Sequence, residues 1–550
     1  MSALVALLWP ALVAAGLFGP PRVRAWALRL APWAALPALL PLALDASVAL
    51  PWLLLGTELA VDAVNRPLLL LTAVGWSLAG WFAAAQVAER RRRFWLGWLG
   101  ALSGMLLLTL AADIVGFYLG YAVLSLSAYL LVTHAASPEA LRAGRVYLVM
   151  AVLGEAAVLI GVLQLAGQVG NAPLASLAGE GAALAAADAR WWLLAGFAVK
   201  LGILPLHLWL PLAHPVAPAP ASAILSGIIV KAGLAGWLRF VPALADDARW
   251  VGVALLALGL FTAFGGVALG LTQRRFKTVL AYSTISQMGL VLTAFALAFL
   301  VPGGHEAMLS VLGLLMLHHG LNKASLFVAY GVAPGSSPLR LALFVLPALA
   351  LAAAPFTSGF VAKDAVKVAS SLAGLGDAMT WLLALTSTAT ALLMWKAFRL
   401  ARALDTKGVP LHPSWPLLVA AGVVVPWWYA STVGISVAVT LDTLVAALWP
   451  LALAVVVAVV AERVWARRAP LTLPEGDVVV LIERAWASGA ARARRQPRPL
   501  APPAPTPPGT GAGEWLVGVE ARLRRLPVVG LGLLLIGSAL WLVLRVVSGG

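Results

Sequence analysis

The sequence predicts an all-α polytopic membrane protein with about 14–16 transmembrane helices. Of its 550 residues, 62% are hydrophobic and only 11% are charged, whereas soluble domains contain about 45–50% and about 25% of these types. Apolar segments of about 20 residues, the length that crosses a bilayer, recur along almost the whole chain. Two of these segments carry a proline near the middle with polar residues close by, which predicts broken helices.

Windows of about 20 apolar residues place the predicted spans in a series along the chain. They lie near residues 3–19, 31–55, 66–87, 94–111, 113–133, 146–167, 190–210, 218–240, 250–270, 278–300, 307–332, 341–366, 378–398, 415–436, 441–461 and 527–547. We expect the first segment to be a retained helix rather than a cleaved signal peptide, because no basic residue precedes it and no clear cleavage site follows it.

The predicted spans divide the chain into six regions. Residues 1–111 supply N-terminal helices, and residues 112–240 and 250–400 form two predicted inverted repeats of five helices, each with a broken helix. Residues 401–468 supply C-terminal helices. Residues 469–526 predict a cytoplasmic amphipathic helix with an Arg-rich face and a Pro-rich linker. Residues 527–550 then supply a last transmembrane helix.

The prolines that interrupt two spans are Pro205 and Pro355. A proline removes one backbone hydrogen bond, and inside a bilayer the freed carbonyl needs protein or water as its partner. The breaks are five spans apart, as a pair of five-helix repeats requires, and paired breaks indicate an ion path near the middle of the membrane. An isolated packing kink at each proline is the alternative.

The net charge of +16 is not gathered into one patch that would suit nucleic acid. The basic residues instead form short clusters between apolar spans, which mark cytoplasmic loops. These clusters lie at Arg22/Arg24/Arg29, Arg90 to Arg93, Arg142/Arg145, Arg274/Arg275/Lys277, Arg399/Arg402/Lys407 and Arg463/Arg467/Arg468. Their alternation with basic-poor loops predicts a multi-pass protein of the bacterial cytoplasmic (inner) membrane, with its N-terminus on the periplasmic side.

The chain contains no cysteine. This excludes disulfides, iron–sulfur clusters, haem thiolates and thiolate zinc sites. The histidines show no spacing with carboxylates that is typical of a metal site, so we expect neither a metal nor a cofactor in this chain. Redox chemistry, if the assembly performs any, is expected to belong to a partner.

Lysine and arginine are distributed differently along the chain. Eight of the 38 basic residues are lysines, and those inside apolar spans are Lys200, Lys231, Lys323 and Lys363. Arginine keeps its proton in proteins, whereas a buried lysine can lose it. A lysine at a helix centre costs about 2.5–3.5 kcal/mol on insertion scales. The set therefore predicts a proton path, while snorkelling or a structural hydrogen bond is the alternative for each lysine alone.

Histidines and acidic residues inside the spans are the other candidate proton carriers. His319 lies four residues before Lys323 and so shares its helix face, and histidine titrates near physiological pH. Glu155 is the one carboxylate deep in a predicted span, where it can hold a neighbouring lysine protonated or release it. Secondary candidates are His207, His214, His318, Asp113 and Asp364.

Four stretches resemble the antiporter-like, proton-translocating membrane subunits shared by respiratory complex I, Mrp cation/proton antiporters and membrane-bound hydrogenases. They are "PLHLWLPLAHPVAPAPASAILSGIIVKAGLAGWLRF", "FKTVLAYSTISQMGLVL", "HHGLNKASLF" and "GFVAKDAV". The resemblance covers roughly residues 60–400 and indicates a divergent member. It implies a hydrated row across the midplane, built from lysines of the seventh and eighth helices, a histidine and lysine of the eleventh, and a lysine of the broken twelfth. By motif position these are Lys200, Lys231, His319, Lys323 and Lys363.

The chain departs from the family pattern at two places. Relatives usually carry a glutamate on the fifth helix that pairs with the seventh-helix lysine, but "FYLGYAVLSLSAYLL" has Ala122 at that position. We expect Glu155, one helix later, to partner Lys200 instead. In "TQRRFKTVLAY", Arg274 and Arg275 stand where relatives commonly carry an acidic residue.

The resemblance implies a proton-conducting subunit of a multisubunit membrane complex, with no catalytic chemistry in this chain itself. Its expected partners are other membrane subunits, the lipid bilayer and a soluble redox or carbonic-anhydrase-like protein, without nucleic acid. Membership of a redox-driven complex of the NADH-quinone oxidoreductase type stays open. Three alternatives also stay open: the membrane subunit of a proton-driven inorganic-carbon (CO2/bicarbonate) uptake system with a soluble zinc partner, a non-conducting scaffold, and a polytopic transferase.

Overall fold

The computed structural model describes residues 1–44, 47–53, 56–178, 180–241, 249–301, 303–405, 409–465, 473–475, 479–480 and 483. Its helices, in chain order, are α1 (Ser2–Gly16), α2 (Pro21–Leu30), α3 (Leu39–Leu44), α4 (Arg66–Gln86), α5 (Arg91–Leu110), α6 (Ile114–Val132), α7 (Pro138–Val169), α8 (Glu180–Leu201), α9 (Trp209–Val216), α10 (Ala219–Phe240), α11 (Arg249–Leu271), α12 (Phe276–Leu297), α13 (Gly304–Val332), α14 (Pro338–Leu351), α15 (Ser358–Leu372), α16 (Gly376–Arg402), α17 (Ser414–Thr432) and α18 (Leu441–Trp465). Two short strands, β1 (Val48–Leu50) and β2 (Thr57–Leu59), pair antiparallel.

Ten helices within the described residues are long and apolar enough to cross a membrane, namely α4–α7, α10–α13, α16 and α18. A bent pair, Pro21–Trp33 with Leu36–Leu44, would make eleven. The chain is therefore a multi-pass helical membrane protein, which confirms the predicted all-α polytopic class, and the described residues hold ten or eleven such helices against the predicted 14–16. Most helix bounds lie within a few residues of the predicted spans.

The predicted second span near residues 31–55 is wrong in its bounds. The chain bends by 48° between Trp33 and Leu36, and the residues after α3 form the β1–β2 hairpin instead of continuing a helix. Pro32, Pro37 and Pro41 follow one another at short intervals. Each removes a backbone donor, so short 3₁₀ turns replace a continuous helix here.

The backbone is interrupted around both prolines named above. Residues 202–208, which include Pro205, separate α8 from α9, and residues 352–357, which include Pro355, separate α14 from α15. In the second break, Ala353 and Phe356 adopt positive φ angles of 60° and 64°, which side-chain-bearing residues rarely do. The second break therefore turns sharply, and α15 starts inside the fold.

Helices α10, α12 and α13 form the centre of the fold. The apolar windows of all three are entirely buried, whereas only 17% of the corresponding window of α18 is buried. A charged side chain on one of the three central helices is consequently surrounded by protein rather than by lipid. It needs hydrogen-bond partners on neighbouring helices.

The C-terminal predictions lie almost wholly outside the described residues. This holds for the amphipathic helix and linker at 469–526, apart from 473–475, 479–480 and 483, and for the last transmembrane helix at 527–550. The inverted-repeat relation between residues 112–240 and 250–400 stays a prediction.

Candidate functional site

Lys231 on α10 and His319 on α13 are in direct contact. Lys231 Nζ lies 2.5 Å from His319 Nδ1 and donates a hydrogen bond to the carbonyl oxygen of Ser226 at 2.9 Å. Each side chain is only 1% exposed. Two positive charges at this distance would repel each other strongly, so a single proton shared by the two nitrogen atoms is the favourable state.

Two glycines allow the backbones of α10 and α13 to come this close. A Cβ atom on Gly227 would lie 2.7 Å from the carbonyl oxygen of Gly320, and small residues permit such close crossings in membranes. Gly227 also lies in a π-helical turn, Leu225–Ile229, within α10. Such widened turns are frequent at functional sites, and this one immediately precedes the segment that carries Lys231.

Lys323 lies one helical turn beyond His319 on the same face of α13. Its Nζ donates to the carbonyl oxygen of Leu280 on α12 at 2.8 Å, and its side chain is fully buried. A hydroxyl pair, Ser226 Oγ and Thr284 Oγ1 at 2.6 Å, joins α10 to α12. All three central helices thus contribute polar atoms to the interior.

His318, on a different face of α13, lies against the second helix break. Its Nδ1 is 3.0 Å from Oγ of Ser358, the first residue of α15, and Asn322 Nδ2 donates to the same hydroxyl at 3.2 Å. The neighbouring Gly359 has no room for a side chain, since a Cβ would lie 1.8 Å from the carbonyl oxygen of Ala350. The break therefore brings the start of α15 directly onto α13.

Lys363, on α15, is held by two hydroxyl groups of α16. Its Nζ donates to Thr386 Oγ1 at 3.0 Å and to Ser387 Oγ at 2.7 Å. The lysine also lines a cavity of about 250 Å³, which is large enough for several water molecules. The other charged residues that line this cavity are Asp364, Lys367 and Asp442.

Lys200, at the end of α8, donates a hydrogen bond to Ser125 Oγ on α6. Its Nζ also lies 4.9 Å from the centroid of the Tyr121 ring. Glu155 interacts electrostatically with Lys200 and neighbours the same serine. Within the described residues, however, no ion pair of 4.0 Å or less joins Glu155 to Lys200, and Glu155 Oε1 is buried without a hydrogen-bond partner. The structure thus places Ser125, rather than Glu155, in direct contact with Lys200.

Asp113 has the contacts of a helix cap. Its carboxylate accepts hydrogen bonds from the backbone N–H of Gly116 at 2.7 Å and of Glu58 at 3.0 Å. It therefore fastens the start of α6 to strand β2. These bonds account for the burial of the aspartate without a proton-transfer role.

The two histidines of the first break lie in different surroundings. His207 Nδ1 is 3.3 Å from the carbonyl oxygen of Pro205, within the break itself. His214, on α9, stacks on the ring of Phe327 with centroids 4.6 Å apart. Both of its ring nitrogens are buried without a hydrogen-bond partner among the described residues.

Sequence reasoning missed several residues that the structure places beside the lysines. Lys277 was grouped with the arginine pair before it, yet its side chain is only 4% exposed. The hydroxyls that hold Lys363 belong to the run "TSTAT" at 386–390, and a polar run inside an apolar span is a usable signal for them. Asp442 gave no such signal, because it lies at a span end, where acidic residues are common.

These contacts form local groups around Lys200, Lys231, His318 and Lys363 rather than one continuous chain of hydrogen bonds among the described residues. Each group offers a titratable nitrogen atom close to hydroxyl or carbonyl oxygens. Such groups can exchange protons when water bridges the gaps between them.

The fold and these buried groups define a polytopic helical membrane protein with titratable residues on and beside broken helices, an arrangement typical of ion-translocating membrane proteins. A family model described as "NADH:quinone oxidoreductase/Mrp antiporter, TM" matches residues 111–393, just over half of the chain. The chain belongs to this family.

Individual relatives support the same assignment. The chain is 30% identical over 286 residues to hydrogenase-4 component B of Escherichia coli (strain K12). This alignment covers 48% of this chain and 43% of that protein. It is 34% identical over 333 residues to NAD(P)H-quinone oxidoreductase chain 4 2 of Thermosynechococcus vestitus (strain NIES-2133 / IAM M-273 / BP-1). This alignment covers 57% of this chain and 61% of that protein. The chain thus spans about half the length of the curated relatives that it matches.

Solved structures share the fold at lower identity. A chain of the Mrp complex from Dietzia sp. DQ12-45-1b superposes with a TM-score of 0.71 and 22% identity, over 96% of this chain and 62% of that chain. A chain of the membrane-bound sulfane sulfur reductase, an archaeal respiratory membrane complex, superposes with a TM-score of 0.66 and 20% identity. The superposition covers 83% of this chain and 99% of that chain. At these identities the likeness shows the fold alone.

Proposed function

We propose that this chain is a proton-conducting, antiporter-like subunit of a multisubunit membrane complex. The protons move along a row of side chains near the middle of the membrane. The row consists of Glu155, Lys200, Lys231, His319, Lys323 and Lys363.

The observation that carries this proposal is the contact between Lys231 and His319. Two titratable nitrogen atoms 2.5 Å apart, buried between central helices, form a pair through which a proton can pass with little movement of either side chain. A purely structural pair would more simply join a lysine to a carboxylate, because two basic groups compete for the same proton. The family membership of the chain supports the same interpretation.

A proton from the cytoplasm reaches Lys200 or Lys231, passes through His319 and Lys323, and leaves by Lys363. The cavity beside Lys363 supports the last step. Asp442, at the start of α18, lines this cavity. The loop charges assign this end of α18 to the outer side of the membrane. Water in the cavity would carry the proton from Lys363 toward that surface.

The step at Lys200 is gated by Glu155 through Ser125. The serine hydroxyl accepts the hydrogen bond of Lys200 and neighbours Glu155. A charged Glu155 favours the protonated lysine, and a neutral Glu155 favours its release. Glu155 thereby takes the part that the fifth-helix glutamate, replaced here by Ala122, plays in relatives.

The assembly is inferred from the same comparisons. A hydrogenase component and a quinone oxidoreductase chain among the relatives support other membrane subunits as the partners of this chain. We place the complex in the bacterial inner membrane with the N-terminus outside, and we assign residues 112–240 and 250–400 to the two inverted repeats. Purification of the tagged full-length chain, followed by identification of the subunits that accompany it, tests the assembly.

Proton flux in liposomes tests the conducting role. The full-length chain, with the subunits that accompany it, is reconstituted, and a potassium gradient with valinomycin drives protons past a pH-sensitive dye. Lys200→Ala and Lys323→Met should each abolish the flux, because neither replacement side chain carries a proton. Lys396→Met serves as the control, since Lys396 donates to the carbonyl oxygen of Leu271 outside the row. Full flux in both row variants would overturn the proposal.

A further inference from the structure

Two buried titratable residues, Lys277 and His214, take no part in the row described above. Lys277 is 4% exposed and His214 is fully buried. His214 has no hydrogen-bond partner for either ring nitrogen among the described residues, although leaving buried polar atoms unpaired destabilises a protein. Such a residue needs an explanation other than packing.

Lys277 lies in the first turn of α12 and contacts both buried groups and a partly exposed ring. Its Nζ donates to the carbonyl oxygen of Ala217, lies 3.5 Å from Ser222 Oγ, and is 5.0 Å from the centroid of the Tyr330 ring. Tyr330 is 40% exposed, so the ring beside the lysine reaches the surface of the protein. The basic pair Arg274 and Arg275 directly before α12 assigns this end to the cytoplasmic side.

Four residues of α13 extend from Tyr330 toward the interior along one helix face, because they are spaced three or four residues apart. From the surface inward they are Tyr330, Phe327, Lys323 and His319. With a rise of about 1.5 Å per residue, the series descends about 16 Å from Tyr330 to His319.

Three of these four residues of α13 contact a titratable residue of another helix. Tyr330 contacts Lys277 of α12, the ring of Phe327 stacks on His214 of α9 at 4.6 Å, and His319 contacts Lys231 of α10. Between the last two levels, Lys323 Nζ lies 5.9 Å from the centroid of the Phe327 ring. The Phe327 ring therefore adjoins both His214 and Lys323.

We propose that Lys277 and His214 form a cytoplasmic proton inlet that delivers protons along this face of α13 to Lys323. The inference rests on the proposed function, because it supplies a starting point for the same row. It also adds a condition, since flux then requires proton delivery to Lys323 as well as to Lys200 or Lys231.

The transfer conserves protons at every step. Protonated Lys277 gives one proton to neutral His214 and takes another from water at the surface. Protonated His214 gives its proton to neutral Lys323 and becomes neutral again. The Phe327 ring adjoins both His214 and Lys323, so we expect the second transfer to need a movement of this ring or a water that passes its edge. Phe327 thus acts as a gate between the inlet and the row.

A structural role would explain Lys277 differently, as a cation that holds the Ala217 carbonyl at the junction of α9 and α10. Lys277→Arg separates the two roles. Arginine keeps the charge and the hydrogen-bond donors but does not release its proton. His214→Phe does the same for the histidine, because a phenyl ring preserves the stacking on Phe327 and removes both nitrogens.

The flux assay described above measures both variants in the full chain with its accompanying subunits. The inlet predicts that Lys277→Arg and His214→Phe each lower the flux at least about tenfold, the lower part of the range for a lost proton-transfer group. Lys396→Arg is the matched control, since Lys396 also donates to a backbone carbonyl near a helix end and has no hydrogen bond to a histidine within the part of the chain that the structure describes. Its flux should equal that of the wild type.

The outcomes distinguish the inlet from the row. Wild-type flux in both Lys277→Arg and His214→Phe, together with loss of flux in Lys323→Met, would overturn the inlet and leave the row intact. Wild-type flux in both Lys200→Ala and Lys323→Met would overturn the proposed function itself. If His214→Phe lowers the yield of folded chain, Lys277→Arg decides, with thermal unfolding in detergent as the check on folding.

Discussion

Lys231 Nζ and His319 Nδ1 lie 2.5 Å apart in a buried contact between α10 and α13. No carboxylate takes part in this contact among the described residues. In the proposed row the two groups share one proton rather than forming an ion pair, so a change to either should interrupt the same step.

A double-mutant cycle at this contact tests the shared step. Lys231→Met and His319→Phe should each reduce proton flux at least about tenfold. The double variant should be no slower than the slower single variant, because residues that act in one step do not contribute independently. Multiplying losses, measured in the same liposome assay, would show that the two residues serve separate steps.

The charge of Glu155 should control Lys200. Glu155→Gln keeps the shape of the side chain and removes its charge, so we expect roughly a tenfold loss of flux, equivalent to about 1.4 kcal/mol of lost interaction. Glu306→Gln is the control, because Glu306 is an exposed residue of the first turn of α13. If Glu155→Gln conducts normally while Lys200→Ala does not, then Ser125 alone supports the lysine.

The buried lysines were predictable because a charge inside an apolar span is costly and conspicuous. Lys231 and Lys323 stand out in the sequence for that reason, and the spacing from His319 to Lys323 placed both on one face. The partners that hold them were not predictable. The Leu280 carbonyl that accepts from Lys323 is a backbone atom of another helix, and nothing in a hydrophobicity pattern identifies it.

Lys277 shows that assigning basic clusters to loops can overlook a buried lysine. Its neighbours Arg274 and Arg275 form a basic cluster of the kind that predicts a cytoplasmic loop, and the lysine was counted with them although its side chain is buried. The second span failed for a different reason. A hydrophobicity window ignores prolines, and Pro32 and Pro37 break the helical hydrogen bonding that the window assumes.

The close crossing of α10 and α13 predicts a strict requirement for glycine at position 227. Gly227→Ala would place a Cβ atom 2.7 Å from the Gly320 carbonyl oxygen. Separating the helices should cost about 1–3 kcal/mol of stability and should also lower proton flux. Thermal unfolding in detergent and the liposome assay measure the two effects.

The matched control for that change is Gly167→Ala on α7. A Cβ atom there would meet nothing within 4 Å, and alanine favours a helix over glycine by about 1 kcal/mol. We expect unchanged or slightly raised stability and normal flux. Equal behaviour of the two alanine variants would mean that the crossing tolerates a wider separation.

The ion pair between Asp62 and Arg239 should stabilise the C-terminal end of α10. Arg239 Nη2 donates to Asp62 Oδ1 at 3.0 Å, and the arginine side chain is only 7% exposed. Asp62→Ala leaves this guanidinium without its carboxylate, so the free energy of unfolding should fall by about 1–3 kcal/mol. Glu462→Gln is the comparison, because its pair with Arg399 is exposed on both sides and should contribute less than about 1 kcal/mol. Similar losses in the two variants would contradict this difference.

The cavity beside Lys363 should matter as a water-filled space and not only through its charged walls. Ala446→Phe would fill part of the 250 Å³ with an apolar ring without removing any titratable group. We expect the flux to fall by at least about fivefold, equivalent to ~1 kcal/mol, because the water that carries the proton from Lys363 is displaced. Val445→Phe adds a similar ring to the neighbouring position of α18, which is 52% exposed and does not line the cavity, and it should conduct normally. Normal flux in Ala446→Phe would place the outlet of Lys363 elsewhere.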